Sequence, residues 1–194
     1  MKMARRKRAY YNYEKGIAVD KKGNQVNGKY LDDVVKALNY DKDGDTKGII
    51  KAIATGKKTV NVKETDGDGG AHKKGTIYWN PTSGLKMMTL HAIEMPDGYG
   101  GVKTVQYVDY TGEKQSPALQ LLHESGHAYE YMYDRKGYKD RAGVRDAQYG
   151  WAEERFVIEN FETPAANKLH EGTRTNHGGE PYPTDGPTST KSLY

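Results

Sequence analysis

The run Leu121-Leu122-His123-Glu124-Ser125-Gly126-His127-Ala128 constrains this chain more than any other stretch. Its two histidines stand four residues apart, with a glutamate directly after the first. On an α-helix that spacing puts both imidazoles on one face, one turn apart, where both can point at a single ion. Glu124 then lies beside them, placed to take a proton from a water held there. In a chain with these His and Glu frequencies the pattern arises by chance in about one sequence in a hundred. The competing reading is two solvent-facing histidines on an ordinary amphipathic helix. Leu119, Leu121, Leu122, Ala128 and Met132 argue against it, because they make the segment apolar around the histidines. Ser116-Pro117 supplies an N-cap and a first-turn proline. The helix is expected to run from there to about Tyr133 or Asp134.

Two histidines leave a tetrahedral zinc ion short of one protein ligand and one water. The third ligand is expected on a following helix that begins near Gly150-Trp151 and runs through Phe161. The candidates are Glu153, Glu154 and Glu159. A ligand must share the buried face, so its neighbours three and four positions on should be apolar. Glu154 has Val157 and Ile158 there; Glu153 has Phe156 and Val157. Glu154 is preferred as the ligand, with Glu153 as the alternative or as a supporting partner. Hydrolysis at such a site also needs a donor for a developing oxyanion. Arg174 and His177, just past the second helix, are the first candidates, followed by Tyr131, Tyr133 and Tyr149.

The remainder of the sequence bounds the setting. The chain has 194 residues, enough for one domain with a real core, and 35% of them are hydrophobic. Tyrosine is abundant, 16 against 2 phenylalanines, which supplies rings with a polar handle near wet surfaces. There is no cysteine, which excludes disulfides, thiol catalysis and zinc–thiolate sites. Net charge is +4, and much of it comes from Lys2, Arg5, Arg6, Lys7 and Arg8. That basic arm is expected to be solvated. No aromatic-basic module supports nucleic-acid recognition. No apolar run reaches bilayer length, and no apolar stretch follows the arm as a signal peptide requires.

In chain order, residues 1–28 read as a polar, weakly ordered lead-in whose Tyr10-Tyr11-Asn12-Tyr13 cluster docks on the body. A helix is expected over Tyr30–Leu38. Asp41-Lys42-Asp43-Gly44-Asp45 reads as an acidic turn in which Asp45 caps a helix over Thr46–Ala54. A calcium loop is not expected there, because Thr46 and Ala52 stand where Gly and Glu are needed. Strands are expected at Thr59–Lys63, Gly75–Trp79, Leu85–Ile93 and Val102–Tyr110. Residues 135–149 read as loop, Pro164 as a kink or restart, and 183–194 as a flexible tail. His72 and His91 are expected to be structural or surface residues.

The constellation resembles the NleD-like zinc metallopeptidases, bacterial effectors with relatives at the toxic C-termini of Rhs and other polymorphic toxins. The resemblance spans roughly residues 30–182 in order. It comprises Thr59–Glu64 as a strand, Gly75-Thr76-Ile77-Tyr78-Trp79-Asn80-Pro81, Ser116-Pro117 leading into the histidine helix, Glu153-Glu154 with Glu159-Asn160, and a basic residue in the tail. It implies Zn2+ at His123, His127 and Glu154, with Glu124 as general base. In related clostridial-type zinc proteases an Arg-x-x-Tyr pair stabilises the oxyanion. Arg174-Thr175-Asn176-His177 puts histidine where that pattern has tyrosine, and Tyr182 lies nearby.

The fold expected is α+β and zincin-like, a small mixed sheet packed on the histidine helix with a glutamate-bearing helix behind it. The metallopeptidase domain would span 29–182. Val102–Tyr110 is expected to be the edge strand that pairs an extended substrate. The function expected is a secreted or delivered zinc endopeptidase of the gluzincin type. Its partners would be a protein substrate in a target cell and an immunity protein or inhibitor. The alternative is a non-catalytic zinc-binding or interaction module.

Overall fold

The computed structural model describes residues 8–67 and 69–194. The basic arm therefore lies, apart from Arg8, outside the described residues, as does Asp68 of the Asp66–Gly70 turn. β1 (Tyr10–Asn12) and β2 (Ile17–Val19) form an antiparallel hairpin where a weakly ordered lead-in was expected. The tyrosine cluster explains the difference. Tyr11 donates from its hydroxyl to Asn39 Oδ1 at 2.7 Å, and Lys42 Nζ donates to the Tyr13 carbonyl at 2.8 Å. Both bonds tie the hairpin to α1 (Lys29–Gly44).

That helix passes its expected end at Leu38 because Asp41 and Gly44 continue its buried face. Asp41 is therefore a buried helical residue, not part of a turn. Asp45 does cap the next helix, α2 (Ile49–Thr55): its carboxylate accepts from Ile49 N at 3.1 Å and Ile50 N at 2.8 Å. This leaves Thr46 outside the helix.

β3 (Asn61–Glu64), β4 (Gly70–Lys73) and β5 (Thr76–Trp79) form a mixed sheet in the order β3-β5-β4. β3 is parallel to β5 and β4 is antiparallel to it. Alternation sends Ile77 and Trp79 into the core with Leu119, Leu121 and Leu122. Burying a side chain such as Ile77 contributes about 1.5–3 kcal/mol. Trp79 Nε1 also donates to the Pro117 carbonyl at 2.7 Å, pinning the sheet to the start of α3 (Pro117–Tyr133).

α3 is the centre of the molecule, buried continuously from Pro117 to Ala128. Ser116 accepts from Leu119 N and Pro117 fills the first turn, as expected from sequence. Before α3 comes a long antiparallel hairpin, β6 (Ser83–Pro96) and β7 (Val102–Gln115), each longer than its alternating stretch. Its other edge is covered by β10 (Glu180–Pro183), giving the order β10-β6-β7.

Residues 135–149 are not a plain loop. They form α4 (Arg135–Ala142), capped by Asp134 Oδ1 accepting from Gly137 N at 3.1 Å, and β8 (Arg145–Asp146), which pairs with β9 (Gly150–Trp151). The path then runs helically through α5 (Ala152–Val157), a π-turn over Ile158–Glu162, and α6 (Thr163–Leu169), with Pro164 in the first turn of α6.

The tail over 183–194 is a second correction. Thr184 is buried, and its amide donates to the Thr82 carbonyl at 2.8 Å. The Pro187 carbonyl accepts from Ala118 N at 2.7 Å. Irregular backbone has found fixed partners here without any periodicity that composition could signal. The whole is α+β, with helices and small sheets packed on one core. Among the described residues no helix is long and apolar enough to cross a membrane.

Candidate metal centre

α3 presents His123 and His127 one turn apart, and α5 brings Glu154 up to them. His123 Nε2 lies 3.1 Å from His127 Nε2, and Glu154 Oε2 lies 3.3 Å and 3.1 Å from those two nitrogens. The histidines are buried and Glu154 is half-buried. These three side chains could hold a metal ion. Glu154 is thus the glutamate that reaches both Nε2 atoms. Glu159 is exposed and faces Arg155 instead.

Each imidazole is held from behind by its own carboxylate. His123 Nδ1 lies 2.8 Å from Glu162 Oε2, and His127 Nδ1 lies 3.5 Å from Glu153 Oε1. The second distance is at the limit of a hydrogen bond, but that oxygen is buried and has no other partner, which assigns it to the imidazole. Each carboxylate is in turn held by an arginine. Arg174 Nε donates to Glu162 Oε1 at 2.8 Å, and Arg174 Nη2 also bonds Glu162 Oε2. Arg141 Nε donates to Glu153 Oε2 at 2.7 Å, and Arg141 Nη2 bonds Glu130. Gln115 Nε2 completes the first group by donating to Glu162 Oε1 at 2.7 Å. Such partners fix ring orientation and tautomer, here leaving both Nε2 atoms free to face one point.

Electrostatics follows from this layout. Burial alone would raise the Glu154 carboxyl, but hydrogen bonds to His123, His127 and His177 hold it far below the usual range. Burial likewise works against Glu162, and Arg174 and His123 hold it down. Burial disfavours a charged His127, yet Glu153 and Glu154 raise it to about 10. Glu154 and Glu162 are thus held ionised beside the imidazoles.

Glu124 is buried beside the triad and lines the cavities on both sides of it. β4 passes directly over it: a Cβ at Gly70 would stand 2.9 Å from Glu124 Cγ, so only glycine fits there. The strand bordering the site is therefore β4, an edge of its sheet, and not the expected Val102–Tyr110 segment, which belongs to β7.

The two oxyanion candidates separate. His177 is half-exposed, and its Nε2 lies 3.2 Å from Glu154 Oε2. Arg174 is buried with its guanidinium bound to Glu162 and 3.0 Å from His123 Nδ1, on the side of the ring away from Nε2. Its Nη1 also donates to the His177 carbonyl at 3.5 Å, so it supports the loop that carries His177. Two of the tyrosines are engaged elsewhere. Tyr133 donates to Ala52 O at 3.2 Å and Tyr182 to Thr190 O at 2.8 Å. Tyr149 is buried near Arg155, and Tyr131 lies under the Arg135 guanidinium.

His72 stacks on His127 with ring centres 6.4 Å apart, but its Nε2 accepts from Gly75 N, so it is a wall of the site rather than part of the triad. Burial, with His127 and Arg135 nearby, lowers its pKa to about 4. His91 stacks on Tyr107 in the β6–β7 hairpin.

Sequence reasoning missed Glu162, Gln115, Arg141 and Glu130. One signal for Glu162 was available, a lone carboxylate among Ile158, Phe161, Ala165 and Ala166. No protein-family model, no curated protein and no solved structure matches this chain, so its site is read from the chemistry of its own side chains.

Proposed function

We propose that the chain is a zinc-dependent endopeptidase. The observation that carries this reading is the spacing of the three donor atoms, 3.1, 3.1 and 3.3 Å. Two ligands about 2.0–2.1 Å from one zinc ion at the tetrahedral angle stand about 3.3–3.4 Å apart. Two imidazoles and one carboxylate also form the donor set of hydrolytic zinc sites, which keep a further position open. His123, His127 and Glu154 would hold the ion, which when bound acidifies water and polarises a carbonyl.

The chain's own residues supply the rest. Glu124 takes the proton from the attacking water and returns it to the leaving amine. His177, on the rim of the site, donates to the oxygen on which charge develops. Arg174 and Glu162 position His123, and Arg141 and Glu153 position His127. The ordered motifs further support placement among NleD-like effectors or toxin domains, with a protein of a target cell as substrate. A zincin-like fold belongs to the same reading, supported by β4 and α3 both bordering the site.

The test is zinc content and peptide cleavage of the full chain beside Glu124→Gln. The expected result is one zinc per chain in both, with cleavage lowered about 10²–10⁴-fold in the variant. Equal cleavage would overturn the role of Glu124. Stoichiometric zinc without cleavage in the unmodified chain would favour a non-catalytic zinc module.

A further inference from the structure

The groove over the triad is lopsided. Gly70, His123, Glu124 and His177 are shared by two cavities that open to either side of them. The larger, about 350 Å³, is walled by His72, Tyr138 and Trp151, with Ala142 leaving room between them. The smaller, about 160 Å³, is closed by Gly69, Leu85, Gly179 and Pro181. Its walls are tight: a Cβ at Gly179 would stand 2.5 Å from Leu85 Cγ, and one at Gly69 would stand 2.8 Å from Gln120 Oε1.

Trp151 is the unusual wall. It is 37% exposed, yet it is held in place by the β8–β9 pairing and by Arg145, whose guanidinium lies 3.9 Å from its ring centre. Tyr138 sits edge-on to His72 on the same side. Two oriented rings beside a cavity of this size suit a flat apolar side chain. A cationic side chain is disfavoured, because the carboxylates there are already engaged. Glu153 is bonded by Arg141 and Glu154 by three imidazoles. The three donors all line the larger cavity and only His123 lines the smaller, so the reacting peptide group uses part of the larger one, and the tight-walled smaller cavity takes a short side chain.

We propose that this groove selects peptides in which a bulky aromatic residue and a small residue flank the bond to be cut. The aromatic residue sits against Tyr138 and Trp151, and the small one against Leu85 and Gly179. The assignment rests on the endopeptidase reading. Trp151 and Leu85 are then specificity residues, outside the metal set.

A randomised peptide library cut by the zinc-loaded full chain tests it, read as relative kcat/KM, with Trp151→Ala and Leu85→Ala alongside. In parallel, hydroxamates of phenylalanine, tryptophan, glycine and alanine are ranked by thermal shift, which needs no turnover. The expected result is cleavage between an aromatic and a Gly, Ala or Ser residue. Trp151→Ala should lower the aromatic preference about tenfold, and Leu85→Ala should admit larger residues on the small side by a similar factor. Zinc content should be unchanged in both. Cleavage without this pattern, or with a pattern that neither variant moves, overturns the proposal and leaves the peptidase reading standing. No cleavage, with aromatic hydroxamates still preferred through Trp151, overturns the peptidase reading and keeps the aromatic cavity. No cleavage and no preference overturns both.

Discussion

The carboxylate that most needs explaining is Glu162. It is fully buried, ionised, and placed between an arginine and the imidazole of His123. A buried ion pair of this kind is a poor source of stability by itself, because desolvation offsets most of the attraction. Its value is orientation: it fixes which nitrogen of His123 faces the site. Glu162→Gln keeps the shape and removes the charge. Zinc affinity, measured by competition with a chromophoric chelator, should fall about 10–100-fold while the fold persists. Unchanged affinity would leave Glu162 a packing residue. Glu153, the mirror-image partner of His127, was legible from sequence as either a rival ligand or a supporting partner, with nothing to separate the two. Side-chain reach, which separates a ligand from the group behind a ligand, is not written in residue spacing.

At the scale of elements, the site depends on how closely α5 and the π-turn approach α3. A Cβ at Gly126 would stand 2.9 Å from both Val157 Cγ1 and Phe161 Cδ2. Glycine inside the histidine motif thus lets the two helical paths touch. Gly126→Val should lower unfolding stability in urea by about 1–3 kcal/mol through overpacking, and weaken zinc binding as Glu154 is pushed away. A stable variant with full zinc affinity would show that the helices have slack. The π-turn has its own effect. Eight positions along a regular helix rotate a residue about 80° from the first, but one extra residue in the turn makes them equivalent to seven, about 20° apart. Glu154 and Glu162 therefore face the same way and meet opposite ends of the His123 ring. The boundaries of α3 were legible because Ser116, Pro117 and the apolar spacing all agree. The π-turn was not, since no residue type distinguishes it from ordinary helix.

For the molecule as a whole, Asp41 carries the clearest pH signature. It is fully buried, and neither carboxylate oxygen has a hydrogen-bond partner. Burial, with Glu171 and Asp45 nearby, raises its pKa well above the ordinary value. The native state therefore keeps a proton that the unfolded chain releases near pH 3.9. Native protein binds more protons across that window, so stability falls as pH rises from about 4 towards the raised value. Asp41→Asn should remove this slope and raise stability at pH 7 by at least about 1 kcal/mol, read from urea unfolding at several pH values. An unaltered slope would assign it to other groups. The acidic string around Asp41 reads as a turn because its charges suggest solvent, and only the packing of α1 reveals otherwise. The tail misled in the opposite sense, its Gly, Pro, Ser and Thr content suggesting mobility where its carbonyls and amides are bonded. That tail has a consequence in time. Pro187 closes the first turn of α3 at Ala118, and Glu154, Glu162 and Arg174 also lie downstream of the two histidines. A chain emerging from the ribosome displays its histidine pair before it possesses anything to aim it. Competence to hold an ion is therefore acquired late, when the last quarter of the chain closes onto the middle.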